Sequence, residues 1–71
     1  MKLKNHIKQH RARLDLTQQA LAEKVGVARQ TILAVEKGIY VPSALLAFKI
    51  ARALQMPVEN LFELEEDSDG E

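Results

Sequence analysis

His6 and His10 stand four residues apart, the spacing at which two imidazoles share one helical face and can hold one metal ion. The chain has no cysteine, and no third ligand lies near the pair, so a metal site is not expected. The same absence excludes a disulfide framework and a cysteine nucleophile. Glu65, Glu66 and Asp67 form an acidic cluster with no nucleophile, base or phosphate-cradling glycine loop beside it. They read as solvated charges rather than as an acid–base pair. No enzyme and no cofactor is therefore expected, and no small-molecule ligand is evident.

Charge offers a different chemistry. The formal net charge of the 71 residues is zero, but the two signs are segregated. All ten lysines and arginines lie within residues 1–52, against four acids in residues 1–62, so that body carries +6. Residues 63–71 hold six acids and no base. A compact basic body suits a polyanionic partner, and the acidic tail is a separate feature. The longest apolar run, Ala44–Phe48, is far too short to span a bilayer. The first residues lead directly into polar sequence, without the pattern of a signal peptide. The expected setting is cytoplasmic, with no membrane partner.

Short helices must position these charges. Ile7, His10, Arg11 and Leu14 mark one face of a helix over about 5–14. Thr17 caps a second helix to Val25, and Gly26 ends it where a left-handed residue is easy. A third runs from about Ala28 to Lys37 with Ile32 and Val35 inward. Ser43 caps a fourth from Ala44 to about Gln55, and Pro57 suits the first turn of a short fifth that ends near Phe62. Residues 2–4 and 62–65 alternate with period two. They fit either a small antiparallel ribbon or two frayed ends. The repulsion among like charges makes 67–71 a disordered extension.

The sharpest signal lies between Gln18 and Val35. Two helices that cross steeply through a tight turn need a small residue at their contact, supplied by Ala22. The turn needs a residue that tolerates positive φ, supplied by Gly26. The second helix must meet the first with apolar residues, supplied by Ile32 and Val35. Leu21 and Val25 complete the inner face.

With these residues in place, the chain resembles the lambda-repressor/Cro-type (XRE) helix-turn-helix family. The resemblance is carried by Thr17-Gln18, Leu21-Ala22, Val25-Gly26, Arg29–Ile32, Val35–Gly38, Pro42-Ser43, Lys49–Leu54 and Leu61-Phe62. It covers about residues 5–62 and is similar to short stand-alone members. It implies an all-α, five-helix DNA-binding domain over 1–64, with the motif at about 17–37 and an acidic tail at 65–71. The third helix then lies in the major groove of double-stranded DNA, and a homodimer reads two half-sites.

Arg29, Gln30, Leu33 and Ala34 match positions that face bases in that family. Arginine can donate two hydrogen bonds to guanine, glutamine can pair with adenine, and Ala34 offers contact to a thymine methyl. Thr17, Gln18, Thr31, Lys37 and Tyr40 are the expected phosphate contacts; the Tyr40 ring can alternatively pack on its loop. Arg11 and Glu36 match an internal salt bridge. His10 matches an apolar core position, which suits a half-buried, hydrogen-bonded histidine. Leu45, Met56, Val58, Leu61 and Leu64 are the candidates for the dimer interface.

Several residues depart from the family pattern. Ala28 stands where a Ser or Thr usually caps the third helix, and Leu33, Ile39 and Val41 make the DNA-facing rim unusually apolar. The expected function is a transcriptional regulator, a repressor in the simplest case, at a pseudo-palindromic operator. Two alternatives use the same fold: an antitoxin whose main partner is a toxin, and a protein-interaction module that meets its partner through the apolar rim.

Overall fold

In the computed structural model, which describes residues 1–66, five helices are closed by a two-stranded ribbon. The order is β1 (Lys2–Asn5), α1 (Ile7–Arg13), α2 (Gln18–Val25), α3 (Arg29–Glu36), α4 (Ala44–Ala53), α5 (Val58–Leu61) and β2 (Phe62–Glu65). Among the described residues no helix is long and apolar enough to cross a membrane. The residues expected to be disordered, 67–71, lie outside the described chain.

Local chemistry accounts for the boundaries. The Thr17 hydroxyl accepts the Ala20 N–H at 3.0 Å, and the Ser43 hydroxyl accepts that of Leu46 at 3.1 Å. Each satisfies a donor that the first helical turn would otherwise leave open. Gly26 closes α2 at φ 77°, in the left-handed region that costs glycine nothing. α1 begins two residues later than its periodicity suggests, because Asn5 belongs to β1 and its Oδ1 accepts the Ile7 N–H at 3.1 Å. Pro57 sits at the N-cap of α5, one position before the first turn.

One core holds the helices together. Ile7, Leu21, Ala22, Ile32, Ile50, Leu54 and Leu61 are wholly buried, and Val25, Val35, Leu46, Ala51 and Phe62 nearly so. They come from all five helices and the start of β2, so each helix contributes its apolar stripe to a common interior. No single helix here is long enough to be stable alone; tertiary packing supplies the stability.

The two period-two segments at the ends pair rather than fray. β1 and β2 run antiparallel, with Lys2 opposite Glu65, Leu3 opposite Leu64, Lys4 opposite Glu63 and Asn5 opposite Phe62. Directly opposed residues share a face. Lys2, Glu65, Lys4 and Glu63 therefore form one charged face with signs matched, and Leu3, Leu64, Asn5 and Phe62 form the other. Glu65 belongs to the ribbon and not to a separate tail. The five helices are thus joined by a strand pair that ties both ends of the domain.

Candidate nucleic-acid interface

α3 is the third helix of the chain and the second of the tight-turn pair. Its Ile32 and Val35 are buried against α2 and the core, which turns the opposite face outward. Arg29 and Gln30 occupy its first turn and are exposed. Among the described residues, neither side chain has a hydrogen-bond or ion-pair partner. Their donors remain available to a ligand. Ala28 is the N-cap, with extended backbone and no side-chain cap bond. The amide N–H groups of that first turn are thus not screened by a protein side chain.

A shallow recess of about 360 Å³ lies beside this face, lined by Gln30, Thr31, Ala34 and Tyr40. The tertiary fold has thus brought Tyr40, from the loop after α3, next to three residues of α3 itself. Thr31 and Ala34 are half-buried, and Tyr40 and Lys37 are exposed. Leu33 is half-buried and does not line that recess. Ile39 and Val41 flank Tyr40 in the chain and stand far out of the surface, at 76% and 67% exposure.

α3 is held in place by a polar network. Arg11 of α1 donates from Nε to Glu36 Oε2 at 2.7 Å and from Nη2 to Oε1 at 3.3 Å. Its Nη1 donates to the Leu16 carbonyl at 2.9 Å. Two parallel N–H···O bonds between guanidinium and carboxylate fix orientation as well as distance. Glu36 also accepts the Gln18 side-chain amide at 3.1 Å. Gln18 is therefore not a free side chain reaching outward. One of its two N–H donors is spent within the protein, and a phosphate can take only the other, together with the open backbone N–H groups at the start of α2.

A second anchor was not visible in the sequence pattern. The Asn5 Nδ2 donates to the Val35 carbonyl at 2.9 Å, and lies 3.5 Å from that of Glu36. An asparagine just ahead of a helix start signals a local backbone bond, as Asn5 makes with the Ile7 N–H, and not one to a carbonyl 30 residues on.

The histidines take separate partners. His6 Nε2 meets Glu63 Oε2 at 2.5 Å. That hydrogen bond, with the positive charges of His6 and Lys4 adding to it, holds the Glu63 carboxyl below its ordinary pKa against a smaller opposing effect of desolvation. His10 is half-buried and its Nδ1 accepts from Arg13 Nε at 3.3 Å.

The proposed dimer residues do not form one surface. Leu45 and Leu64 are each 67% exposed, whereas Leu61 is wholly buried inside the protomer and has no surface to offer a partner. Met56 and Val58 are half-buried and pack against the core. Phe48, 60% exposed on α4 three residues after Leu45, joins it on one helical face and was missed.

Known proteins share this architecture. A family model described as helix-turn-helix (HTH_3) matches residues 7–61. An uncharacterized HTH-type transcriptional regulator of Bacillus subtilis (strain 168), YgzD, is 53% identical over 66 residues, covering 93% of this chain and 100% of that protein. An uncharacterized HTH-type transcriptional regulator of Methanothermobacter thermautotrophicus is 58% identical over 62 residues, covering 86% and 90%. MJ0272 of Methanocaldococcus jannaschii, of the same description, is 52% identical over 65 residues, covering 92% and 98%. Among solved structures, a chain of the SinR protein/SinI protein complex superposes with a TM-score of 0.73 at 31% identity. That match covers 90% of this chain and 61% of the other, so this chain spans about three fifths of it. Because the matched stretch runs from the first helix to the last, the chain belongs to the XRE-type helix-turn-helix family of DNA-binding transcriptional regulators, which is not an enzyme class.

Proposed function

We propose that this regulator is a repressor that binds a pseudo-palindromic operator as a homodimer. The observation that carries the base-reading part is the Arg29–Gln30 pair, exposed and without a protein partner in the first turn of α3. Placed in the major groove, Arg29 donates to guanine O6 and N7, and Gln30 pairs with adenine N6 and N7. Ala34 and Leu33 add apolar contact to base edges. Thr17, Gln18, Thr31, Lys37 and Tyr40 set the register on the phosphates. A domain this small represses most simply by occupying DNA that polymerase needs.

A dimer supplies two α3 helices about 34 Å apart, which calls for half-sites one turn apart. Leu45 and Leu64 are the exposed residues that support pairing. Selection of bound duplexes from a random pool at near-physiological salt tests the whole reading. The expected outcome is a pseudo-palindrome that is lost with Arg29→Ala. Recovery of unenriched DNA that dissociates with added salt overturns it. Sedimentation at micromolar concentration checks the dimer separately, and a single 8.0 kDa species removes it.

A second reading rests on the exposed apolar residues Ile39, Val41, Leu45 and Phe48. Scattered exposed apolar side chains are ordinary, but two on one helical face suggest a protein partner. The solved neighbour is itself described as a complex of SinR with a second protein, SinI. In this reading the chain regulates through a bound protein, an antitoxin-like or interaction role, with DNA binding retained or lost.

A further inference from the structure

We propose that Asn5 is a positioning residue for the recognition helix: its carboxamide ties the C-terminal end of α3 to the terminal ribbon, so base reading depends on a residue outside the base-reading first turn. The inference rests on the proposed role of α3 in the major groove.

The carboxamide sits where three elements meet. Its backbone pairs with Phe62 in the ribbon. Its Oδ1 accepts the Ile7 N–H at 3.1 Å, at the start of α1. Its Nδ2 donates to the Val35 carbonyl at 2.9 Å, in the last turn of α3. Donor and acceptor ends are therefore both used, and they are used in opposite directions. No other residue of β1 or β2 hydrogen-bonds to α3 among the described residues.

α3 needs such a tie. Its N-cap, Ala28, makes no side-chain cap bond, so beyond the packing of Ile32 and Val35 that end lacks a polar side-chain anchor. The polar side-chain bonds to the helix gather at its last turn. The Val35 carbonyl accepts both the Gly38 N–H at 3.0 Å and Asn5 Nδ2 at 2.9 Å. The following amides lead straight into the loop that presents Tyr40: Ile39 and Tyr40 donate to the Ala34 carbonyl at 3.0 and 3.2 Å. Arg11 and Gln18 hold the same end of the helix through the Glu36 side chain. Asn5 holds it through the backbone. Together they fix a helix of eight residues from two sides, and a slight tilt at that end moves Arg29 and Gln30 relative to the bases. Geometry held within a fraction of an ångström is what directional base contacts require.

Asn5→Asp separates this role from general stability. Aspartate keeps the acceptor for the Ile7 N–H, as asparagine and aspartate both form such local turns. It replaces the donor facing Val35 with a second acceptor, so two oxygens oppose each other. Asn5→Ser is the companion variant. Its hydroxyl accepts locally but is too short to reach α3.

The test compares full-length wild type with both variants on the selected operator and on a scrambled duplex. Each variant is measured at a temperature where circular dichroism shows it folded, and either variant suffices. The expected result is a fall of about tenfold in the ratio of operator to scrambled affinity, the size of one lost base contact. In Asn5→Ser, affinity for the scrambled duplex and its salt slope stay unchanged, because phosphate contacts tolerate small tilts; in Asn5→Asp the added negative charge lowers both affinities alike, and the ratio alone carries the result. In Asn5→Ser, an equal fall in both affinities is simple loss of folded protein, and that outcome overturns the proposal. So does an unchanged ratio.

Amide exchange gives an arm independent of DNA. Gly38, Ile39 and Tyr40 amides should exchange at least several-fold faster in Asn5→Asp than in wild type, with α2 amides unchanged. If the wild type shows no operator preference at all, the DNA reading of α3 fails, and the exchange result alone decides whether Asn5 positions the helix.

Discussion

Arg11 and Glu36, one on α1 and one on α3, form a two-pronged ion pair whose shorter bond is 2.7 Å. Their side chains are only 14% and 8% exposed. Removing one member leaves the other charge poorly solvated. Glu36→Ala should therefore cost about 3 kcal/mol, the lower end for breaking a buried pair. In a domain of this size that corresponds to a fall in Tm of roughly 12–24 °C. Thermal melts of wild type and variant decide it; an unchanged midpoint would falsify the structural role. Arg11→Lys should recover only part of the loss, because a lysine cannot make two parallel bonds.

The two classes of DNA contact predict different signatures. Arg29→Ala should weaken operator binding by about 1–3 kcal/mol and relax the base preference at one position. Lys37→Ala should weaken all duplexes alike and lower the magnitude of the salt slope by about 1. Binding titrations on operator and scrambled DNA at several salt concentrations distinguish them. A uniform loss in Arg29→Ala would move that residue from bases to phosphates.

Acid sensitivity should trace in part to the ribbon. The Glu63 carboxyl is held below its ordinary pKa in the folded chain by His6. A depressed carboxylate contributes stability above its unfolded pKa and loses that contribution as pH falls through the folded value. The advantage of wild type over Glu63→Gln in melting temperature should therefore be present near pH 6 and shrink below the ordinary carboxylate range. An advantage that grows on acidification contradicts the assignment. Glu63 is exposed, so the effect is small and sensitive to salt.

Two helix ends leave room for stabilisation. Ala28→Ser supplies the missing N-cap of α3 and should add about 1 kcal/mol. Gln55 follows α4 at φ 61°, a conformation that glycine adopts without strain. Gln55→Gly should add up to about 1 kcal/mol. Chemical denaturation of both variants measures the gain. Destabilisation by Gln55→Gly would show that its side chain makes a contact worth more than the backbone strain.

The placement of the helices was legible in the residues because it is a local matter. Leu21, Ala22 and Val25, then Ile32 and Val35, repeat at helical spacing, and Thr17, Gly26 and Ser43 punctuate them. Each signal needs only the few residues around it, and the structure places each where the spacing puts it. The tight turn at Gly26, and with it the face that α3 turns outward, follows from the same short stretch.

What only the tertiary structure decided are pairings between residues far apart in the chain. The period-two ends were compatible with pairing or fraying, and the choice depended on where α1 and α5 leave them in space. Leu61 read as a possible contact for another protomer, yet the packing of α5 seals it inside. Gln18 looked free to meet a phosphate, until the crossing of α2 and α3 brought Glu36 to its amide, 18 residues on. Asn5 reaches Val35 across 30 residues, and His6 reaches Glu63 across 57. Helical periodicity encodes which face is apolar. The direction and partner of a polar side chain depend on crossing angle and register, which exist only once the elements have packed.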